Sequence, residues 1–385
     1  MREQILNTQE ELLLLNPRLP KTDLIFLKEL YLKLPRLKNH IWVASSGTTA
    51  QEVKDLKLIA LSREALRTSA QAVNQHLKLS SKDIWGQCLP LYHVGGLGVE
   101  FRAQLTQSKV VNLLKDEKWN PQDFAKSIED HGVTTTSLVP TQVFDLVNQK
   151  LFSPKCLKRI IVGGGALSEK LYKEATALGW PLLQSYGMSE VCSQIATSLL
   201  EDGSENQVGP LKILPHILNY RINSEGFFEL QSPALFTGIG RMTSEGPQFY
   251  DPKNAGWFTT QDQMILNGHE LKLLGRGTDF IKVSGELVNL NKLREIFFNQ
   301  FAHSEAWAIL ALPDERLGSQ ICLVYEKSIK LSTELENAIK EQVESFNKIV
   351  APFERIKFIK SVELIPKSGI GKVLYSELQK KILNF

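Results

Sequence analysis

Arg159-Ile160-Ile161-Val162-Gly163-Gly164-Gly165 reads as a short buried strand stopped by three glycines, and Ser168 to Leu178 follows it with a helical pattern. β-Branched residues suit a pleated surface, while glycines after them permit a tight turn or the close approach of a flat ring. The same unit recurs upstream. Ile41-Trp42-Val43-Ala44 precedes a helix-like stretch from Ser62 to Leu77, Val110 to Leu114 precedes Pro121 to His131, and Thr134 to Val139 precedes Thr141 to Gln149. Strands alternating with helices from Asn39 to about Glu270 predict an α/β fold of parallel-rich sheets covered by helices. In such a fold ligands gather at the carboxyl ends of the strands.

The pattern changes after Gly268. Leu271 to Leu274 reads as a strand, Gly275-Arg276-Gly277-Thr278 as a turn and Phe280 to Val283 as a second strand. A helix is expected from about Asn291, with Leu293, Ile296 and Phe297 on one face, and another from Thr333, where Glu336 completes a capping box. These stripes read as core packing. The sequence therefore divides into a large N-terminal domain, 1–277, and a small α+β domain, 278–385.

The 385 residues and 43% hydrophobic content suffice for two or three domains. Lys and Arg number 45 against 42 Asp and Glu, a net charge of +3 with no dense basic block, so nucleic acid is not an expected partner. Cys88, Cys156, Cys192 and Cys322 lack metal-ligand spacing and read as reduced thiols. Leu12 to Leu15, the apolar cluster near the start, is far shorter than a membrane span or a signal-peptide core. A cytoplasmic protein without a membrane partner is expected, and a homo-oligomer is compatible with the sequence.

Several segments carry chemistry. Ser45-Ser46-Gly47-Thr48-Thr49 directly follows a predicted strand, where backbone N–H groups and hydroxyls wrap an anion or simply form a polar turn. Leu89 to Gly96 places His93 on a short strand end beside two glycines, as a structural or a catalytic histidine. Gln184-Ser185-Tyr186-Gly187-Met188-Ser189-Glu190 combines an aromatic ring, hydroxyls and a carboxylate, a set suited to a base, a phosphate and Mg²⁺. Gly256 to Asp262 ends in an acid able to accept two ribose hydroxyls or to cap a turn. Pro366-Lys367-Ser368-Gly369-Ile370-Gly371-Lys372 carries a glycine-flanked lysine near the C-terminus.

Taken in order, these segments resemble the superfamily of acyl- and aryl-CoA synthetases, adenylation domains and luciferases, with matches from Ser45 to Lys372. The resemblance implies that ATP, Mg²⁺ and coenzyme A are used to convert a carboxylic acid to an acyl-adenylate and then a thioester. It implies a phosphate loop at Ser45, Ser46, Gly47, Thr48 and Thr49, and an acyl-pocket gate at His93. Gly163, Gly164 and Gly165 would line the adenine and acyl site. Ser185, Tyr186, Gly187 and Ser189 would contact adenine and phosphate, and Glu190 would hold Mg²⁺. Asp262 and Arg276 would hold the ribose, and Lys372 would be the mobile catalytic lysine beyond a hinge at Thr278. Lys282, Ser284 and Gly285 would form the loop that serves coenzyme A.

Within that superfamily Ser137-Leu138-Val139-Pro140-Thr141-Gln142, Gln261 and Ser284-Gly285-Glu286 resemble the o-succinylbenzoate-CoA ligases of menaquinone biosynthesis. The loop departs from the superfamily pattern after Thr49, where Ala50-Gln51-Glu52-Val53-Lys54 replaces Gly-x-Pro-Lys. The same chemistry on another aryl or acyl acid, and a nucleotide-binding fold without turnover, are the competing readings.

Overall fold

The computed structural model describes residues 2–45, 56–114, 118–165, 167–202, 207–283, 286–300, 306–314, 317–327, 333–368 and 371–383. Two compact units are present: Met1–Asn223 with Phe228–Thr260 and Leu266–Lys272, and Ser224–Phe227 with Gln261–Ile265 and Leu273–Phe385. The second takes in Asp262 and Arg276, which the sequence reading assigned to the N-terminal domain.

In the first unit five parallel strands lie side by side in the order Lys109–Asn112, Ile84–Gln87, Thr135–Leu138, Arg159–Val162, Leu182–Met188. Period-2 alternation sends Ile160, Val162 and Leu182 to a core with Phe124, Ile128, Val143, Leu146 and Trp180. Ile161 and Leu183 face the opposite side, against Val73, Trp85, Val99 and Ala103. Burial on both faces is what made Arg159–Val162 legible as an apolar run.

The covering helices start where their caps dictate. Ser62 accepts the Ala65 N–H at 3.0 Å to open Arg63–His76. Asn120 caps Pro121–His131, whose first residue is proline and whose C-cap Gly132 takes a φ of 64°. A second sheet in this unit runs Leu12–Leu14, His40–Ser45, Lys57–Ser62, Gly238–Thr243, Gly246–Tyr250. It pairs Ser45 with Lys57 in register.

The expected alternation of strand and helix stops at Ala177. From Leu182 to Asn289 the described chain forms strands and short 3₁₀ turns, including Ser193–Thr197, Leu211–Ile213, Asn219–Ile222, Phe227–Gln231 and Phe258–Asn267. These strands are mostly antiparallel, and several are half-exposed, with polar residues between buried ones; Phe258–Asn267 is of this kind. Such a pattern lacks the continuous apolar signal of a parallel strand.

The second unit is built on a sheet of Trp307–Asp314, Gly318–Glu326 and Ile356–Val362. Ile309, Ile321 and Leu323 face Leu293, Phe297, Ile339, Val343 and Phe346, from helices Leu290–Phe298 and Thr333–Ile349. Ala308, Leu310, Cys322 and Val324 face Leu378 and Ile382 of the last helix, Tyr375–Leu383. Ahead of it lies the hairpin Phe280–Val283 with Glu286–Asn289. The turn expected over Gly275 to Thr278 begins later, because the strand Glu270–Arg276 continues through Arg276 and a 3₁₀ turn occupies Gly277–Asp279. All four cysteines are free. Among the described residues no helix is long and apolar enough to cross a membrane.

Candidate active site

Chain order runs from Ile84–Gln87 to Lys109–Asn112 on one side and to Thr135–Leu138 and its successors on the other. The sheet therefore has a topological switch between Ile84–Gln87 and Thr135–Leu138, and the loops leaving the carboxyl ends there are where ligands gather in open α/β sheets. Residues 88–93, 139–140, 163–165 and 188–190 all leave strands at this edge.

His93 is not on a strand end as expected. It is the N-cap residue of helix Val94–Thr106, with φ −110° and ψ 138°. Its carbonyl accepts the Gly96 and Leu97 N–H groups at 3.0 and 2.9 Å. Gly96 is needed for that turn: a Cβ there would lie 2.3 Å from the Pro90 carbonyl oxygen and 2.4 Å from that of Leu89. The His93 ring packs 4.8 Å from the Tyr92 ring, and its Nε2 has no hydrogen-bond partner among the described residues. Burial pushes its pKa down to about 4, so the imidazole is neutral at pH 7.

Strands Arg159–Val162 and Leu182–Met188 approach closely where they end. Ser185 Oγ donates to the Val162 carbonyl at 3.2 Å, and a Cβ on Gly163 would lie 2.9 Å from that hydroxyl. Gly164 takes a φ of 79° and is exposed with Gly165, leaving an open glycine platform. The Tyr186 side chain is buried, and the ladder to Ser193–Thr197 shifts register between Tyr186 and Gly187. A Cβ on Gly187 would lie 1.7 Å from the Ser193 carbonyl oxygen, so only glycine fits.

After this bulge Ser189–Val191 forms one 3₁₀ turn that carries Glu190. Lys57 Nζ donates to Glu190 Oε1 at 2.9 Å, and the carboxylate side chain is 14% exposed. The Glu190 backbone is fixed as well, since its carbonyl accepts the Phe236 N–H at 2.9 Å. Sequence reasoning missed Lys57. Lys57 is the register partner of Ser45 and opens the strand that pairs with it. A lysine at the head of the run Lys57-Leu58-Ile59-Ala60-Leu61 was the available signal.

Ser45 ends its strand; Ser46, Gly47, Thr48, Thr49 and Lys54 lie outside the described residues, as do Ser284 and Gly285. Lys282 is on strand Phe280–Val283 and Thr278 in the 3₁₀ turn Gly277–Asp279.

In the second unit Asp262 is 3% exposed and its Oδ1 lies 3.1 Å from Arg276 Nε. Lys372 follows a tight loop in which its carbonyl accepts the Ser368 N–H at 2.7 Å and its own N–H donates to Ser368 Oγ at 3.1 Å. Burial, then the Arg276 charge, lowers the Lys372 pKa to about 8, while Asp262 and Asp279 oppose the shift. The unit thus brings Asp262, Arg276 and Lys372 into one electrostatic group. Burial keeps three of the four cysteines as thiols, pushing Cys88 up to about 12 and Cys322 up to about 11 and raising Cys192 as well.

The carboxyl end of the sheet thus gathers an exposed pair of glycines, a buried tyrosine and a carboxylate paired with a cation. Residues 42–222 match the model of the family described as AMP-binding enzyme. More particularly, it is similar to the 2-succinylbenzoate--CoA ligase of Staphylococcus epidermidis, 25% identical over 358 residues covering 88% of this chain and 69% of that one. It is 27% identical over 325 residues to the enzyme of that name from Bacillus subtilis, covering 81% of this chain and 63% of the relative. The chain thus spans about two thirds of the length of these relatives. The fold is shared with the o-succinylbenzoate coenzyme A synthetase of Bacillus subtilis solved with ATP and magnesium ion, at a TM-score of 0.72 and 21% identity. That match covers 96% of this chain and 79% of the other.

Proposed function

We propose that this chain is a cytoplasmic ligase that activates o-succinylbenzoate with ATP and passes the acyl group to coenzyme A. The observation that carries this reading is the extent of the match. A likeness to 2-succinylbenzoate--CoA ligases over 88% of the chain reaches from the first unit into the second, which holds Lys372.

A carboxylate resists thiol attack because oxide is its leaving group, so the acid first forms a mixed anhydride with AMP and pyrophosphate departs. Positioning and charge neutralisation dominate that step. In this reading the loop from Ser45 to Thr49 wraps the phosphates and the platform of Gly164 and Gly165 receives adenine and the acyl group. Ser185, Tyr186, Gly187 and Ser189 contact the nucleotide, while Asp262 and Arg276 hold the ribose. Neutral His93 closes the acyl pocket without adding a charge beside the acid. Lys372, as an ammonium, offsets the charge that develops at the α-phosphate.

Glu190 suits a hard cation, because its shielded carboxylate already holds an ammonium through oxygen. Among the described residues no three His, Cys, Asp or Glu side chains converge, so Mg²⁺ would be held by Glu190 together with phosphate oxygens rather than by a protein cage. When bound, Mg²⁺ supplies charge neutralisation at the phosphates. In the second step the thiol of coenzyme A displaces AMP, and Lys282, Ser284 and Gly285 form the loop that admits it. The succinyl carboxylate is the one activated, leaving the ring carboxylate as a recognition handle.

The test is pyrophosphate release with ATP, Mg²⁺, coenzyme A and a panel of acids. Release with o-succinylbenzoate should exceed that with benzoate and short fatty acids, and the product should be its thioester. Equal release across the panel would overturn the substrate. No release with any acid would reduce the chain to a nucleotide-binding fold.

A further inference from the structure

Behind Lys372 the second unit contains a polar chain that the reaction scheme leaves unused, centred on Arg294 of helix Leu290–Phe298. Its side chain is 10% exposed and meets three separate elements. Nε donates to the Ile309 carbonyl at 2.9 Å, and Nη1 donates to Asp279 Oδ1 at 2.6 Å. The guanidinium carbon lies 3.7 Å from the centre of the Tyr375 ring, a cation–π contact.

Each contact bears on Lys372. Tyr375 opens the last helix three residues after the lysine, so the stack pins the chain just beyond it. Asp279 Oδ2 accepts the Arg276 N–H at 3.0 Å, and Arg276 Nε in turn meets Asp262. Asp262, Arg276 and Asp279 are the charges that act on the Lys372 amine. On the other side of the lysine the loop is closed by Ser368 and by the bridge of Lys367 with Val373. One buried guanidinium thereby ties the sheet, the acid next to Arg276 and the segment carrying the lysine. A core arginine serving packing alone would gain little from meeting Asp279 and Tyr375 together, because burying a charge is costly.

We propose that Arg294 is a positioning residue for Lys372: by stacking on Tyr375 and holding Asp279, it keeps the lysine amine within the field of Asp262, Arg276 and Asp279. This rests on the reading of Lys372 as the residue of the first half-reaction.

The experiment measures labelling of the Lys372 amine by trinitrobenzenesulfonate against pH in the full chain, quantified by peptide mass spectrometry. The wild type and Tyr375→Phe, which keeps a ring under the guanidinium, should show the same depressed midpoint. Arg294→Met and Tyr375→Leu, shown to be folded by circular dichroism, should raise the midpoint by about one pH unit or more, as the amine returns to solvent. Pyrophosphate formation should then fall by at least about tenfold, with transfer from pre-made acyl-adenylate within about threefold. Should Arg294→Met fail to fold, Tyr375→Leu decides, since it leaves the bonds to Asp279 and Ile309 intact. An unchanged midpoint in folded Tyr375→Leu would overturn the proposal. Labelling needs no turnover, so a Lys372→Ala enzyme that keeps the first half-reaction would refute the lysine's role without deciding that of Arg294.

Discussion

Asp262 and Lys372 show how burial changes what a charged side chain does. Asp262, 3% exposed and held by Arg276, is a fixed acceptor with little freedom to find other partners. If it takes both ribose hydroxyls, charge-assisted hydrogen bonds of about 1.5–3 kcal/mol each are at stake. Asp262→Ala should weaken ATP binding well over tenfold in an equilibrium titration, and an unchanged affinity would make Asp262 a partner of Arg276 only. Lys372, with its pKa lowered to about 8, makes the first half-reaction sensitive to alkali. Pyrophosphate formation should fall as pH rises through about 8, because the ammonium is lost, whereas transfer from pre-made adenylate should not follow that titration. Stability moves the other way. Between pH 8 and 10.5 the unfolded lysine holds a proton that the folded one has released, so folding gains stability as pH rises there. Parallel pH–rate and pH–denaturation curves check both signs.

Individual elements place the site through backbone fit. A Cβ on Gly187 would lie 1.7 Å from a backbone oxygen of the neighbouring strand, an atom that cannot swing aside. Gly187→Ala should therefore cost about 3 kcal/mol or more in urea denaturation and displace Tyr186 and Glu190 with it. Gly132 is the control. Its φ of 64° is left-handed but nothing lies within 4 Å of its Cβ position, so Gly132→Ala should cost about 1–2 kcal/mol and leave nucleotide affinity unchanged. Equal losses at the two glycines would refute the steric account. Helix Pro121–His131 and strand Arg159–Val162 were legible because a proline in the first turn and the run Ile160-Ile161-Val162 state their element locally. His93 was misplaced because a histidine before two glycines reads equally as a strand end or a helix cap. The N–H groups of Gly96 and Leu97, which settle it, carry no side-chain signature.

Across the whole molecule, the order of motifs was readable but the way they meet was not. Glu190 and Asp262 stood out as acids ending polar segments, yet nothing near Glu190 in sequence points to Lys57, which is 133 residues away. Likewise Arg294 sits in sequence beside the apolar stripe of Leu293, Ile296 and Phe297 with no local sign of its partners. Its meeting with Asp279 and Tyr375 depends on long-range packing. The long β-region after Leu182 was missed for the same reason: half-exposed antiparallel strands take their stability from partners distant in sequence. The proposed function needs these parts to act in two steps, with a hinge at Thr278 and with 278–385 as a mobile domain that brings Lys372 to the nucleotide for the first step and withdraws it for the second. Lys372→Ala, assayed with o-succinylbenzoate plus ATP and separately with synthetic o-succinylbenzoyl-adenylate plus coenzyme A, tests that claim directly. By analogy with deletion of one oxyanion donor, adenylate formation should fall about 10²–10³-fold. Thioester formation from the adenylate should stay within about tenfold. Equal loss in the two assays, or retention of both, would contradict the account.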